Sequence, residues 1–323
     1  MTENNLPEFV KANLHVHTNI SDGSQTLNEY ILESLMSRME YIAPVDHDTC
    51  DSWLNLTESA GPIFEIKKNK GFVKITALGN LNQEIRTEKN SLEVLHGIEL
   101  TTLLDGKKIH LVGLGIDEPA ENILIRLNSI NSTREVRLKE LVSEINYRTD
   151  EIYAGLYLDW PEVKAVMGPS KSPSRLHVGI ALQIKYPFLF KTPRAAMSAC
   201  VNHNLESYAF GGDKFYSARD GINLIEKTLH GIAIIPHPDR IFENGEIGNP
   251  HDVIRKLVEY GVSGIEIQNP EFEYCLEEYH LLASIGSDSH GKFDGPGRAK
   301  MRYTTKLERS QLEKIKDKIN SKK

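Results

Sequence analysis

Residues 13–23 read Asn-Leu-His-Val-His-Thr-Asn-Ile-Ser-Asp-Gly. The first half of this run has the make-up of a short strand, and residues two apart on a strand point to the same side. His15 and His17 can therefore direct both imidazoles at one point. Asp22 follows in a Ser-Asp-Gly turn, close enough in sequence to bring a carboxylate to the same region. Imidazole nitrogen with carboxylate oxygen is a ligand set suited to Zn, Mn or Fe. Taken alone, the run reads equally well as two solvated histidines before a turn. The rest of the chain decides between the two.

Beyond Gly23, Thr26-Leu-Asn-Glu29 has the form of a capping box. Leu27, Tyr30, Ile31, Leu35 and Met39 then recur at helical spacing. Residues 41–45 are a short apolar run ending in Asp46-His47-Asp48, so the chain opens strand, helix, strand with histidines at both strand ends. Residues 50–91 are less regular: Gly61-Pro62 and Gly71 punctuate them, residues 64–66 and 72–75 read as strands, and 67–70 is a charged cluster. Residues 92–102 and 109–116 read as two strands joined at Asp105-Gly106, a good hairpin turn, and carry Glu99 and His110. Residues 121–146 follow as a long amphipathic helix, and Pro, Ser, Gly and Tyr-rich connections lead into further helical stretches.

From residue 216 the alternation resumes. Residues 217–229 are predicted helical with Gly231 as the stop, and 232–236 a strand ending at His237. Residues 252–260 are predicted as a helix, 262–267 as a strand, 272–283 as a helix and 284–287 as a last strand before Asp288-Ser289-His290. A final helix and a disordered Ser321-Lys-Lys close the reading. Alternating strands and helices predict a parallel α/β architecture. In barrels of that type the site lies at the C-terminal ends of the strands, where His47, His237, Asp288 and His290 all fall. The expected organisation is a barrel built from residues 1–116 and 213–323, interrupted by a mainly helical, substrate-capping subdomain over 117–212.

Composition narrows the function classes. At 323 residues and 40% hydrophobic the chain can bury a substantial core, and a net charge of −7 argues against a broad surface for duplex nucleic acid. Cys50, Cys200 and Cys275 are few and far apart, which suits a reducing compartment. No basic-then-apolar leader and no apolar run near the roughly 20 residues of a membrane span is present, so a cytoplasmic, membrane-free protein is expected.

The set His15-Val-His17…Ser21-Asp22-Gly23, Asp46-His47, Gly97-Ile-Glu99, Ile109-His110, Pro236-His237-Pro238 and Gly286-Ser-Asp288-Ser-His290-Gly291 resembles the polymerase and histidinol phosphatase (PHP) superfamily. The resemblance covers residues 13–116 and 216–298 and implies a distorted (β/α)7 barrel holding up to three divalent metals (Mn, Zn or Fe). By that resemblance His15, His17, Glu99 and Asp288 bind the first metal. Glu99 bridges to a second completed by His110 and His237, and Asp22, His47 and His290 bind the third. Six of the twelve histidines fall in these motifs, whereas His96, His203, His230, His251 and His280 lie in helical or linker contexts. Clustered cations suit phosphoryl chemistry because they bind phosphate oxygens, lower the pKa of a bound water and stabilise the leaving oxygen. The implied reaction is attack of a metal-bridging hydroxide on the phosphorus of a small phosphorylated substrate.

Within the superfamily the chain looks most like the nucleoside 3′,5′-bisphosphate phosphatase and short-RNA 5′-exonuclease branch. That likeness rests on Asp46-His-Asp-Thr49, the helical insertion, Ser174-Arg-Leu-His177, His237-Pro-Asp-Arg240 and Gly264-Ile-Glu-Ile-Gln-Asn-Pro270. It implies that Arg175 and His177 grip substrate phosphate, as Arg240 would, although Leu176 stands where the branch commonly has proline. An arginine binds phosphate bidentately, and an imidazole can protonate a leaving oxygen. Asp48 reads either as a carboxylate orienting a ligand histidine or as a loop cap. The expected partners are a nucleotide or a short single-stranded RNA or DNA end. A histidinol-phosphate-type phosphatase and a noncatalytic metal-binding module are the alternatives. Residues 50–91 lengthen the usual passage between the second and third motifs and carry no predicted role.

Overall fold

The computed structural model describes residues 8–56, 64–77, 91–148, 155–200, 214–242, 250–294 and 301–323. Gly61-Pro62, His203 and the boundary at 212/213 lie outside the described residues. The strands are β1 (Phe9–Val16), β2 (Tyr41–Pro44), β3 (Phe64–Asn69), β4 (Phe72–Ala77), β5 (Ser91–Leu95), β6 (Gly97–Leu104), β7 (Lys107–Leu114), β8 (Tyr216–Ser217), β9 (Ile232–Ile235), β10 (Gly264–Glu266), β11 (Leu282–Ser284) and β12 (Lys306–Glu308). They form two six-stranded sheets, ordered β12-β1-β2-β5-β4-β3 and β11-β10-β9-β7-β6-β8.

Both sheets are mixed, not parallel as the alternation predicts. β1–β2, β2–β5, β9–β10 and β10–β11 pair parallel, whereas β6–β7, β7–β9 and the β3–β4–β5 meander pair antiparallel. The reason is local: the Asp105-Gly106 turn, with both residues at positive φ, returns the chain at once and leaves no room for a crossover helix. Isolated bridges join the sheets at Val16–Ser289 and His47–Glu99.

The first helix, α1 (Leu27–Met36), begins with the predicted capping box, Thr26 accepting from Glu29 N–H, and buries Leu27, Tyr30, Ile31 and Leu35. Short α2 (Asp51–Leu54) buries Trp53. In α3 (Glu121–Tyr147) two cores share one helix. Ile123, Leu127 and Ile130 pack with the strands, while Leu138, Leu141, Val142 and Ile145 join a separate cluster. That second cluster is completed by Val163 of α4 (Trp160–Met167), Val178 and Leu182 of α5 (Arg175–Lys185) and Ala196 of α6 (Pro193–Cys200).

Several boundaries differ from those expected. The run 92–102 is two strands in different sheets, parted at His96; an apolar run buried on both faces reads the same whether one strand or two. The helix expected over 272–283 is only Tyr274–Glu278, and the last strand is Leu282–Ser284 rather than 284–287. The helix ending before residue 230 stops at His230, which takes the left-handed conformation (φ 49°). Gly231 is needed for a different reason, since a Cβ there would lie 2.6 Å from Ile116 Cγ2 and 2.8 Å from Leu114 O. The tail is ordered: beyond the last helix (Arg309–Asn320), Lys322 pairs with Glu226 and Lys323 with Asp117.

Candidate metal centre

The centre forms where β1, β2, β6, β7, β9 and β11 end or meet. Leu14 N–H donates to Ile285 O and His17 N–H to Ser289 O, while Asp288 N–H donates back to His15 O. β1 is thereby stitched to the segment carrying Asp288 and His290. Gly286 permits this approach, because a Cβ there would stand 2.1 Å from His15 Cβ. Asp46 fixes the loop carrying Asp22, accepting from Thr18 N–H (2.8 Å), Thr18 Oγ1 (2.8 Å) and Ser21 Oγ (2.5 Å). His237 and Asp288 adopt positive φ (32° and 50°), a left-handed conformation that Asp and His take more readily than most other non-glycine residues.

Glu99, fully buried on β6, is the hub. Its Oε1 lies 2.9 Å from His110 Nδ1 and 3.0 Å from His237 Nε2. Its Oε2 lies 2.9 Å from His47 Nδ1, 3.2 Å from His17 Nε2 and 3.5 Å from His15 Nε2. Asp288 Oδ1 stands 3.0 Å from His17 Nε2, and Asp22 Oδ1 3.3 Å from His290 Nε2. Three sets have ligand atoms within 4.8 Å of one another: His15, His17, Glu99 and Asp288; His17, Asp22, His47 and His290; and His47, Glu99 and His110. Eight of the nine residues singled out as metal ligands fall in these sets; His237 meets Glu99 Oε1 but belongs to none of them, and His47 takes the place expected for it beside Glu99 and His110. His17 and His47 each belong to two sets, a sharing that the sequence does not reveal.

The electrostatics call for positive charge. Burial alone would raise the Glu99 carboxyl, yet His47, His110 and His15 hold it well below the usual carboxylate range. Asp22 is likewise held low, against burial, chiefly by His290 and His47. Burial opposes protonation of His15, but Glu266 and Glu99 raise it to about 9. His110 goes the other way, pushed by burial down to about 3 despite Glu99. A divalent cation meets the same demand without protons. Asp22 Oδ1, His47 Nδ1 and Glu99 Oε2 are buried and make no well-aligned hydrogen bond among the described residues, as expected of ligand atoms turned toward a shared cation. The donor set suits divalent transition metals.

Around this shell stand groups that sequence reasoning missed. Glu266, fully buried on β10, places Oε1 2.7 Å from His15 Nδ1, and its Oε2 accepts from His237 N–H at 2.8 Å. A charge inside the apolar run Gly-Ile-Glu-Ile was the available signal, since an unpaired glutamate is almost never fully buried. Asp294 accepts from His290 N–H (3.0 Å) and Ser289 Oγ (2.7 Å). Asp48 engages Arg134 of α3, not a ligand histidine: Oδ2 accepts from Arg134 Nε (3.0 Å), Oδ1 from Thr101 N–H (2.7 Å). No local pattern links residues 86 positions apart.

The predicted substrate contacts are placed as follows. Arg240 Nη2 lies 2.5 Å from Asp288 Oδ2. His177 is buried at the start of α5, where Nδ1 accepts from Ser174 N–H at 3.0 Å. Burial lowers its pKa, and Asp22, His290 and His47 all act on it electrostatically, so it faces that lobe of the centre. The loop before α5 is tied to the Asp22 loop by Lys171 N–H donating to Ile20 O at 2.7 Å. Arg175 opens α5 and acts electrostatically on Lys108 of β7. His96 stacks on Trp53, and His230 pairs with Asp117, away from the centre.

No family model matches the chain. It is 26% identical over 300 residues to the phosphoribosyl 1,2-cyclic phosphate 1,2-diphosphodiesterase of Eggerthella lenta, covering 87% of this chain and 94% of that protein. It is 27% identical over 293 residues to the 5′-3′ exoribonuclease Rnm of Escherichia coli, covering 86% and 84%. A crystal structure of a candidate metal-dependent phosphoesterase from Bifidobacterium adolescentis superposes with a TM-score of 0.71 at 20% identity over 97% and 98% of the two chains, which shows the shared fold. These relationships bear out the resemblance to PHP-like phosphoesterases and the expectation of a phosphoester hydrolase. No helix among the described residues is long and apolar enough to cross a membrane.

Proposed function

We propose that this chain is a divalent-metal-dependent phosphoesterase of the cytoplasm acting on a nucleoside 3′,5′-bisphosphate or an oligonucleotide 5′ end. The carrying observation is the gathering of eight imidazole and carboxylate groups into three overlapping sets, with His237 joined to them through Glu99. In this reading His15, His17, Glu99 and Asp288 hold one ion, Glu99, His110 and His237 a second, and Asp22, His47 and His290 a third. Ions of the Mn, Zn or Fe type would supply Lewis-acid stabilisation of the phosphate and an acidified water. Arg240 and Arg175 would orient the phosphate, and buried His177 would donate a proton toward the leaving oxygen. We read the two sheets as a distorted seven-stranded barrel closed at Val16–Ser289 and His47–Glu99, with residues 117–212 inserted as a helical cap. The separate apolar cluster of α4–α6 and the distal half of α3 supports the cap.

A second substrate, a cyclic phosphodiester on a phosphorylated ribose, is favoured by the Eggerthella relative, which aligns over 94% of its length. The test is product release by Mn²⁺-supplied protein, with His47→Ala as blank. Adenosine 3′,5′-bisphosphate, a short 5′-phosphorylated RNA, a phosphoribosyl cyclic phosphate and histidinol phosphate are compared. Turnover of the first two, lost in the variant, is expected. Turnover of histidinol phosphate alone would discard the nucleotide substrate, and metal binding without any turnover would favour a binding module.

A further inference from the structure

Asp22, His47 and His290, the residues that would hold the third ion, sit on three separate loops. Each of those loops is fastened to the helical cluster of α3–α6. Ile20 O, two residues before Asp22, accepts from Lys171 N–H at 2.7 Å in the loop ahead of α5. Asp48, next to His47, accepts from two side chains of α3: its O from Asn131 Nδ2 and its Oδ2 from Arg134 Nε, both at 3.0 Å. Asp294, at the end of the His290 loop, has Oδ1 3.7 Å from Arg194 Nη2 of α6. The remaining ligands are anchored in the sheets instead. His15, Glu99 and His110 lie on β1, β6 and β7, and Glu266 on β10 holds the His15 ring and the His237 N–H.

The tie at His290 is the longest of the three and runs through one guanidinium. Arg194 Nε and Nη2 are buried and make no hydrogen bond among the described residues, and the Asp294 side chain they approach is fully buried. Asp294 in turn accepts from His290 N–H at 3.0 Å and from Ser289 Oγ at 2.7 Å, with Arg302 Nη2 3.5 Å away. His290 Nδ1 stands 3.0 Å from Asp288 O, a group that can only accept, so the ring proton sits on Nδ1. That leaves Nε2, 3.3 Å from Asp22 Oδ1, as the ligand atom. A charge on α6 thus helps fix the carboxylate that fixes a ligand histidine, and groups that orient a ligand govern metal affinity.

We propose that helices α3–α6 set the geometry of the third ion's ligands, with Arg194 a positioning residue that acts through Asp294 and His290. Seating of these helices and occupancy of the third ion then favour one another, and linkage makes the coupling reciprocal. The inference rests on the three-ion reading and goes beyond it: the third ion is held tightly only when the helix that carries His177 is in place.

The experiment measures Mn²⁺ stoichiometry and stepwise affinities by calorimetry, with metal content after dialysis. It compares wild type, Arg194→Met, Arg194→Lys, His290→Ala and the double variant Arg194→Met, His290→Ala. Wild type is expected to take up three ions. Arg194→Met should weaken one of them about tenfold or more and leave the other two unchanged, with Arg194→Lys recovering most of the loss. His290→Ala should lose that same ion, and adding Arg194→Met should change nothing further. Three ions bound by Arg194→Met with wild-type affinities would overturn the coupling while the three-ion centre stands. Weakening of all three alike, or a further loss in the double variant, would overturn it as well, because the substitution then acts on the whole fold. So would a complete failure of Arg194→Lys to recover the ion, since a positive charge on α6 is what is argued to hold Asp294. Two ions or fewer in wild type would remove the three-ion reading itself, and the coupling with it.

Discussion

Glu266 carries the clearest lesson at the scale of single residues. Its two oxygens serve two different elements, the His15 ring on β1 and the His237 backbone after β9. A carboxylate on the far nitrogen of a ligand histidine fixes the tautomer and the ring direction. Glu266→Gln is almost isosteric but removes the charge that balances His15. The expected result is a loss of about 10–100-fold in metal affinity or kcat/KM. Metal content after dialysis and steady-state kinetics check it; a variant that keeps full metal and full rate would remove Glu266 from the machinery.

Two elements make predictions of their own. Helix α3 is latched to the floor of the centre by Arg134 on Asp48, with Asn131 Nδ2 donating to Asp48 O at 3.0 Å. Both charged partners are almost fully buried. Arg134→Met strands a buried carboxylate, and breaking such a pair from one side costs about 3–5 kcal/mol. The double variant Asp48→Asn, Arg134→Met should recover part of that loss in denaturant unfolding. Equal losses in single and double variants would show that the cost is packing, not charge. Where β5 passes to β6, His96 stacks on Trp53 with ring centroids 4.2 Å apart and planes at 7°. Burial pushes the His96 pKa down to about 4. The unfolded chain binds this proton more readily, so the stability contributed is full above pH 6.5 and drains as pH falls toward 4. His96→Phe should flatten the melting temperature across that window relative to wild type; an unchanged acid slope would put the titration elsewhere.

At the scale of the whole molecule, the centre ties the two sheets together. Its candidate ligands come from β1 and the loops after β1 and β2 in one sheet, and from β6, β7 and the segments after β9 and β11 in the other. Cations that bind only the folded chain stabilise it by mass action, about 2.7 kcal/mol at a hundredfold excess over Kd. Chelation should lower the melting temperature by several degrees along with abolishing hydrolysis, and Mn²⁺ should restore both. Loss of activity with no change in melting temperature would mean that the ions do not brace the two sheets.

Sequence alone determined what depends on short range. The histidine pair, the capping box at Thr26, the Asp105-Gly106 turn and the strand-end placement of His47, His237 and Asp288 follow from spacing, turn chemistry and chain periodicity, which neighbours in sequence control. The nine candidate ligand residues could be singled out because each sits in a short motif where a polar residue interrupts or follows an apolar run. Tertiary structure alone decided the antiparallel pairing of β7 with β9, the sharing of His17 and His47 between sets, the pairing of Asp48 with Arg134 and the support from Glu266. Each joins residues far apart in the chain, and such a pair is fixed by which buried charge finds a partner when the strands close. The run 92–102 divides at His96 for the same reason: burial on both faces erases the alternation that would mark a change of sheet.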